Sequence, residues 1–324
     1  FQADRNDIPR VWMDHGAWPF LTTQLYLDYS GDLAFLLEEQ VYFQDAWIHR
    51  AQDVDVAWKP GDGTELRTRT GDVYRGSILE HLLVQHLTAF FHVGEHNIIR
   101  LEGADWNDGL DMARLRGESV AFTALYASNL RALGELVLAM DRLGLTEVTV
   151  FGELLLLLDT MRAPVDYGSV AAKLSRLDGY CAAAQPTIQG EKVAVTLHDL
   201  AADLTAKADW LYAHLRRQEW LPQNEELGWF NGYYDEEGRR LEGVYPEGAR
   251  MTLTGQVFAL MGGITSDEQA RHIVRAADQY LYDANLRGYR LNTDFGPATE
   301  RLSMSLGRCF GYAYGHKENG AVFS

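Results

Sequence analysis

Residues 103–113 read GADWNDGLDMA and set Asp105, Asp108 and Asp111 beside Trp106 and Asn107 in a stretch framed by Gly103 and Gly109. Glycines let the backbone bend sharply, so that two carboxylates and an amide can point different ways from one short segment. Carboxylates and amides bind pairs of hydroxyls, and an indole offers a flat apolar face to the C–H side of a ring. Together these residue types suit a carbohydrate site. Two other readings stand beside it. Asx turns around a buried tryptophan would cap a helix over residues 110–114. An acidic loop could also hold calcium, although this one lacks the alternating oxygen ligands and terminal bidentate Glu of an EF-hand.

A second cluster, DRNDIPRVWMDHGAWPF, interleaves Arg5, Arg10, Asp14 and His15 with Trp12 and Trp18 around Pro9 and Gly16. It reads equally as a binding loop and as a solvated charged loop over a tryptophan-lined core. The third, GYAYGHKENGAVFS, sets Tyr312, Tyr314, His316, Lys317, Glu318 and Asn319 among Gly311, Gly315 and Gly320. So many hydrogen-bonding groups on so permissive a backbone point to ligand contact more than to packing. HVGEH (His92 to His96) matches the spacing of an inverted zinc-peptidase motif. Gly94 in its middle opposes the helix that this geometry requires, and the pattern has few fixed letters.

Helices must carry these loops. Apolar residues recur at helical spacing in nine segments: 22–29, 33–43, 77–93, 121–143, 153–161, 169–184, 197–219, 253–261 and 267–281. In 77–93, Leu79, Leu82, Leu83, His86 and Phe90 share one face. Thr265 and Ser266 ahead of Glu268 and Gln269 form a capping-box pattern. The convincing β signal is confined to 227–243, where aromatics flank Asn231-Gly232 and a second glycine turn follows Glu237, predicting one or two hairpins. No strand–helix alternation favours a parallel α/β fold. The expectation is an all-α fold, an (α/α)6 barrel or toroid left incomplete, forming one domain over residues 1–324 with the loops of one end lining a cleft.

Composition narrows the function. With 29 basic against 46 acidic residues, a net charge of −17 disfavours nucleic acid and anionic membranes as partners. The apolar run Leu154 to Leu158 is far shorter than a membrane span. Only Cys181 and Cys309 occur, too few for a disulfide framework, which fits a reducing cytosol. The expected protein is cytoplasmic, with no metal and no bound cofactor.

The three clusters, in this order, resemble glycoside hydrolase family 94, the inverting cellobiose, cellodextrin, chitobiose and related β-glucan phosphorylases. ADWNDGL and YGHKENGAVF carry the likeness most strongly, and MDHGAW is similar to the family's Asp-His/Asp-Trp segment. The resemblance implies an (α/α)6 catalytic domain that the family precedes with a β-sandwich domain and a helical linker, so the chain reads as a piece of a longer protein. It implies Asp108 as general acid, and Asp14 and Trp106, with Arg10, around the sugar on the non-reducing side of the scissile bond. Tyr312, Lys317 and Glu318 would bind the leaving-group sugar. Arg10 departs from the family's arginine spacing.

The implied reaction is phosphorolysis of β-linked gluco-oligosaccharides with inversion, releasing α-D-glucose 1-phosphate. Asp108 protonates the glycosidic oxygen while inorganic phosphate, the co-substrate, attacks the anomeric carbon from the opposite face. Phosphate is already anionic, so no base is needed to activate water. The family's first phosphate-binding histidine would fall just after Ser324, and the family is commonly dimeric. The competing readings are an inverting hydrolase, with Asp108 as acid and Glu318 as base, and a carbohydrate-binding remnant without chemistry. The lean within the family is towards oligosaccharide-using members.

Overall fold

A computed structural model of the chain describes residues 11–322. Among the described residues eight α-helices form: α1 Trp18–Ser30, α2 Ile78–Phe91, α3 Val120–Ala139, α4 Val170–Ala184, α5 Leu197–Gln218, α6 Leu253–Met261, α7 Asp267–Tyr280 and α8 Ala298–Ser305. Their starts follow side-chain chemistry. The hydroxyls of Ser77, Ser119, Ser169 and Thr196 accept from the amides of Glu80, Phe122, Ala172 and Asp199, and Ser266 forms the expected reciprocal box with Gln269. Gly31 ends α1 at φ 69°, a conformation most side chains avoid.

The helices pack through α3, which lies along α5 and also meets α6 and α2, while α2 meets α4. A Cβ on Gly134 of α3 would stand 3.3 Å from Thr205 Oγ1 and 3.4 Å from Ala201 O, so a small residue is what lets α3 and α5 approach. The predicted face of α2 is buried, including His86. The His86 ring bridges Leu82 O (2.8 Å from Nδ1) and Asn129 Nδ2 (3.1 Å from Nε2), and burial lowers its pKa to about 4.

Three expectations differ from the structure. Residues 33–43 form a 3-10 turn, Leu33–Leu37, and a strand, Glu39–Val41, paired with Arg75–Ser77. Only Leu36 of that turn is buried, too little apolar anchoring to hold a short helix. Residues 153–161 form two 3-10 turns, Gly152–Leu156 and Asp159–Met161. The leucine run buries Leu154, Leu155, Leu157 and Leu158 on all sides rather than along one stripe. Asp159 there accepts from Val165 N (2.8 Å) and from the buried ammonium of Lys207 (2.7 Å), tying the turn to α5.

The hairpin expected at Asn231-Gly232 does not form. Gly228–Phe230 pairs with Trp220–Pro222, and Tyr233–Tyr234 pairs with Glu118–Ser119, so Asn231 and Gly232 carry the chain across from one ladder to another. Asn231 is held instead by Glu219, whose carbonyl takes its N–H (2.9 Å) and whose carboxylate takes its amide (3.1 Å). The second turn forms as expected: Gly238 sits at φ 72°, with Leu241 N donating to Tyr233 O at 3.0 Å. In all, seven two-stranded ladders decorate the described helices, more β structure than expected, and the fold is mostly helical. No helix among the described residues is long and apolar enough to cross a membrane.

Glu242, beside that crossing, gives a test of the packing. Its carboxylate is buried, takes Gly232 N–H (2.7 Å) and the Thr252 hydroxyl, and burial pushes its pKa up to about 7. Between its ordinary value and about 7 the folded chain holds a proton that the unfolded chain has released, so this group's contribution to stability falls as pH rises through that window. Such a shift corresponds to about 3 kcal/mol. Glu242→Gln is therefore expected to gain thermal stability relative to the parent on going from pH 5 to pH 8. A difference that stays constant with pH would contradict the assignment.

Candidate functional site

The first two sequence clusters and the residues that lead into the third share one hydrophobic cluster, distinct from the larger one among the helices. Met13 and Ala17 meet Leu110 and Ala113 of the GADWNDGLDMA stretch, Leu101 just ahead of it, and Cys309 and Phe310 just ahead of the 311–324 stretch, over Tyr126 and Phe122 of α3. Backbone pairing fixes the first two segments against each other. Trp12 and Glu102 form an antiparallel bridge, Gly103 N donates to Val11 O (2.8 Å) and Met13 N donates to Ala104 O (2.9 Å). The Tyr126 hydroxyl donates to Met13 O (2.7 Å), and a Cβ on Gly16 would lie 2.5 Å from that hydroxyl oxygen.

The GADWNDG turn sorts its acids. Asp105 is buried; Oδ1 accepts from Asn107 N (2.9 Å) and Oδ2 from the Ser119 hydroxyl (3.1 Å), while Asn107 Oδ1 accepts from Gly109 N (2.9 Å). These are Asx turns, as the structural alternative requires, but no helix follows over 110–114. With Asp105 held by Asn107 N and the Ser119 hydroxyl and Asn107 by Gly109 N, Asp108 is the exposed acid of the turn, and its Oδ1 accepts from the Trp12 indole N–H at 2.7 Å. Trp106 is 41% exposed, enough to present a ring face.

Asp14 lies beneath. It is buried, and Oδ2 accepts from the Trp18 indole N–H (2.7 Å). Among the described residues its Oδ1 has no hydrogen-bond partner. Burial raises the Asp14 pKa above the usual carboxylate range, against the lowering effect of the Trp18 bond, and the nearby charge of Asp108 adds to the rise. Burial likewise pushes Asp105 up to about 7. Three acids thus converge on one turn, and one buried oxygen is left to be satisfied.

The third segment is anchored by close backbone contact. Cys309 N donates to Gly109 O (3.2 Å) and Met112 N to Leu306 O (3.1 Å), and Arg308 pairs with Asp111. Beyond it the chain folds on itself: Asn319 Nδ2 donates to Tyr312 O (2.7 Å), Gly315 N to Asn319 O (2.7 Å) and Gly320 N to Asn292 Oδ1 (2.8 Å). Lys317 takes a left-handed φ of 49°, and its ammonium lies 4.2 Å from the centre of the Tyr312 ring. Glu318 is within electrostatic reach of Cys309, whose thiol is pushed up to about 12, chiefly by burial and further by the charges of Glu318, Asp111 and Asp105.

Asp14, Trp106 and Asp108 are therefore brought together by paired backbone, and the segment bearing Tyr312, Lys317 and Glu318 abuts their turn through Gly109 and Cys309. Arg10 lies outside the described residues. Trp12 as a partner of Asp108 was not singled out from sequence, although it sits in the second cluster; no spacing rule connects residues so far apart. The zinc-like motif dissolves: His92 Nδ1 lies 3.1 Å from Glu102, whereas His96 Nδ1 lies 2.6 Å from Glu118 and its ring stacks on Tyr234. Among the described residues no group of three or more His, Cys, Asp or Glu side chains could hold a metal ion.

A groove of about 770 Å³ opens elsewhere, between the end of α5 and the start of α7, lined by Arg216, Trp220, Glu225, Glu268 and His272 among others. No residue of the three clusters lines it, and the converging acids and the orphaned Asp14 oxygen make their turn the stronger candidate.

Comparison with known proteins covers the C-terminal part of the chain by family and nearly all of it by one distant relative. Residues 197–324 match the catalytic domain of the Glycosyl hydrolase 94 superfamily. Over 324 residues the chain is 22% identical to solabiose phosphorylase of Paenibacillus borealis, an alignment that covers 97% of this chain and 29% of that protein.

Proposed function

We propose that this chain, whose residues 197–324 match the catalytic domain of the Glycosyl hydrolase 94 superfamily, carries the acid and sugar-binding side chains of an inverting glycoside phosphorylase acting on β-linked gluco-oligosaccharides. The observation that carries the reading is Asp14 Oδ1: a buried carboxylate oxygen without a donor among the described residues, next to the exposed Asp108, is an acceptor waiting for a hydroxyl. The relative named as a phosphorylase supports the reaction class. In this reading the helices belong to an (α/α)6 barrel, one domain over residues 1–324, working in the cytoplasm.

The chemistry follows from the turn. Trp12 donates to Asp108 Oδ1, so the transferable proton belongs on Oδ2. As phosphate oxygen bonds to the anomeric carbon, the bond from that carbon to the glycosidic oxygen breaks, and the Oδ2 proton passes to the departing oxygen. The Trp12 N–H then stabilises the carboxylate left behind. In the reverse direction Asp108 takes the proton back from the acceptor hydroxyl. Asp14 accepts from a hydroxyl of the sugar being transferred, Trp106 covers its ring, and Tyr312, Lys317 and Glu318 hold the leaving sugar.

The test is phosphate release from α-glucose 1-phosphate by the full-length protein, with glucose, sophorose, cellobiose, laminaribiose and the solabiose named for the relative as acceptors or acceptor sources. Release with at least one acceptor is expected; none with any would overturn the reading. Asp14→Ala is expected to lower kcat/KM for the donor by roughly 10²-fold, the scale of a lost hydrogen bond to a charged group. A change within twofold would remove Asp14 from the sugar site.

A further inference from the structure

Glu102 immediately precedes the GADWND turn and holds a left-handed backbone, φ 57°. Its carboxylate is buried under a two-pronged contact: Arg50 Nε donates to Oε1 and Arg50 Nη2 to Oε2, both at 2.9 Å. Arg50 Nη1 reaches Thr88 Oγ1 of α2 at 3.4 Å, and His92, just past the end of α2, lies 3.1 Å from Glu102 Oε1. Arg50 is itself left-handed (φ 54°), between His49 (φ 52°) and Ala51 (φ 59°). Non-glycine residues in that region persist where surrounding contacts over-determine them. Here two of the strained residues are the partners of one ion pair, and one of them, Glu102, forms the backbone bridge that presents Trp12.

From Glu102 the path to the acid is short. Its backbone bridges to Trp12, the flanking Gly103 and Ala104 pair with Val11 and Met13, and the Trp12 indole N–H meets Asp108 Oδ1 at 2.7 Å. We infer that Arg50 and Glu102 are positioning residues for Asp108: their ion pair locks the left-handed turn at Glu102, the turn sets the pairing of residues 102–104 with residues 11–13, and the pairing aims the Trp12 indole at the acid. The catalytic consequence rests on Asp108 acting as proposed above; the geometric claim does not.

The test separates the two. The full-length protein, labelled with ¹⁵N-tryptophan, is compared as parent, Arg50→Lys, Glu102→Gln and Asp108→Asn, with Trp12→Phe and Trp18→Phe identifying the two indole signals. A bond to a carboxylate marks the indole N–H resonance. The expected result is that Arg50→Lys and Glu102→Gln move the Trp12 signal in the same direction as Asp108→Asn does, while the Trp18 signal, held by Asp14, stays in place. A folded Arg50→Lys or Glu102→Gln protein with an unmoved Trp12 signal overturns the inference. Glu102→Gln, nearly isosteric, carries the test if the lysine variant fails to fold.

Kinetics supply the second readout. Arg50→Lys is expected to lower kcat roughly tenfold with KM for the acceptor little changed, as for a slightly misplaced acid. Arg50→Lys combined with Trp12→Phe should lose no more than Trp12→Phe alone, because both act through one bond; losses that multiply would mean separate roles and would sink the idea. A parent protein without phosphorylase activity would sink the functional reading, and the indole signal would still judge the positioning claim.

Discussion

Asp108→Asn is expected to lower kcat in both directions by about 10³-fold, within the usual range for loss of a general acid. Asparagine keeps an oxygen to accept the Trp12 indole N–H, now 2.7 Å from Asp108 Oδ1, and matches aspartate in shape, so the turn should survive. What disappears is the proton. In phosphorolysis the departing sugar would leave as an alkoxide, and in synthesis the acceptor hydroxyl would attack without a base. The acceptor KM should change little, because Asp108 contributes in the transition state and little to ground-state binding. Initial rates against the parent, with folding checked by thermal melting, make the measurement. A rate within tenfold of the parent would show that another group supplies the proton.

Gly307→Ala is expected to be the most damaging change outside the sugar-binding side chains. A Cβ at 307 would stand 2.1 Å from Gly109 O, 2.6 Å from Leu110 Cα and 2.9 Å from Gly109 C. All three are backbone atoms of the turn that carries Asp108, so no rotamer change relieves the contact. Either the 306–310 segment or the acid's turn must move, and Cys309 N to Gly109 O and Met112 N to Leu306 O bind the two together. Overpacking of this kind costs about 1–3 kcal/mol, and a displacement near 1 Å at the acid costs about 10²-fold in rate. Gly311→Ala is the control: its added Cβ would meet only Ser303 Cβ, at 3.8 Å, an ordinary contact. Thermal melting and kcat for the pair decide the matter. Equal stability and activity would mean that the two segments are not locked as described.

The contrast between these two glycines shows what was and was not legible in the sequence. Local signals carried well: Ser266 caps its helix through the box with Gln269 that the sequence marks, and α2 buries the face that its periodicity marks. The acids' turn also pairs with the Trp12 segment and with residues just ahead of the 311–324 stretch. What failed were segments where tertiary partners overrode local pattern. Asn231-Gly232 resembles a hairpin turn, but Glu219 claims Asn231 and two separate ladders claim its neighbours. The leucine run has no helical stripe because it is surrounded.

Long-range partners were invisible for a related reason. Nothing in the spacing of Arg50 and Glu102, or of Trp12 and Asp108, announces that they touch. Lys173 and Lys207 are both buried, Lys207 between Asp159 and Asp203 and Lys173 over the rings of Phe90 and Trp210, and nothing in their spacing marks those partners. Within the GADWND turn, sequence alone could not divide labour among the acids. Backbone amides claim Asp105 and Asn107, and that division is what leaves Asp108 to the Trp12 indole.

The central claim is that phosphate, and not water, takes the sugar from a bond protonated by Asp108. The most direct measurement follows the products when the full-length protein meets a β-linked gluco-oligosaccharide with and without inorganic phosphate. The account predicts α-glucose 1-phosphate and a shortened acceptor with phosphate present, and no cleavage in its absence. Free glucose released at the same rate without phosphate, with no sugar phosphate formed, would contradict it and turn attention to Glu318 as the base of a hydrolase.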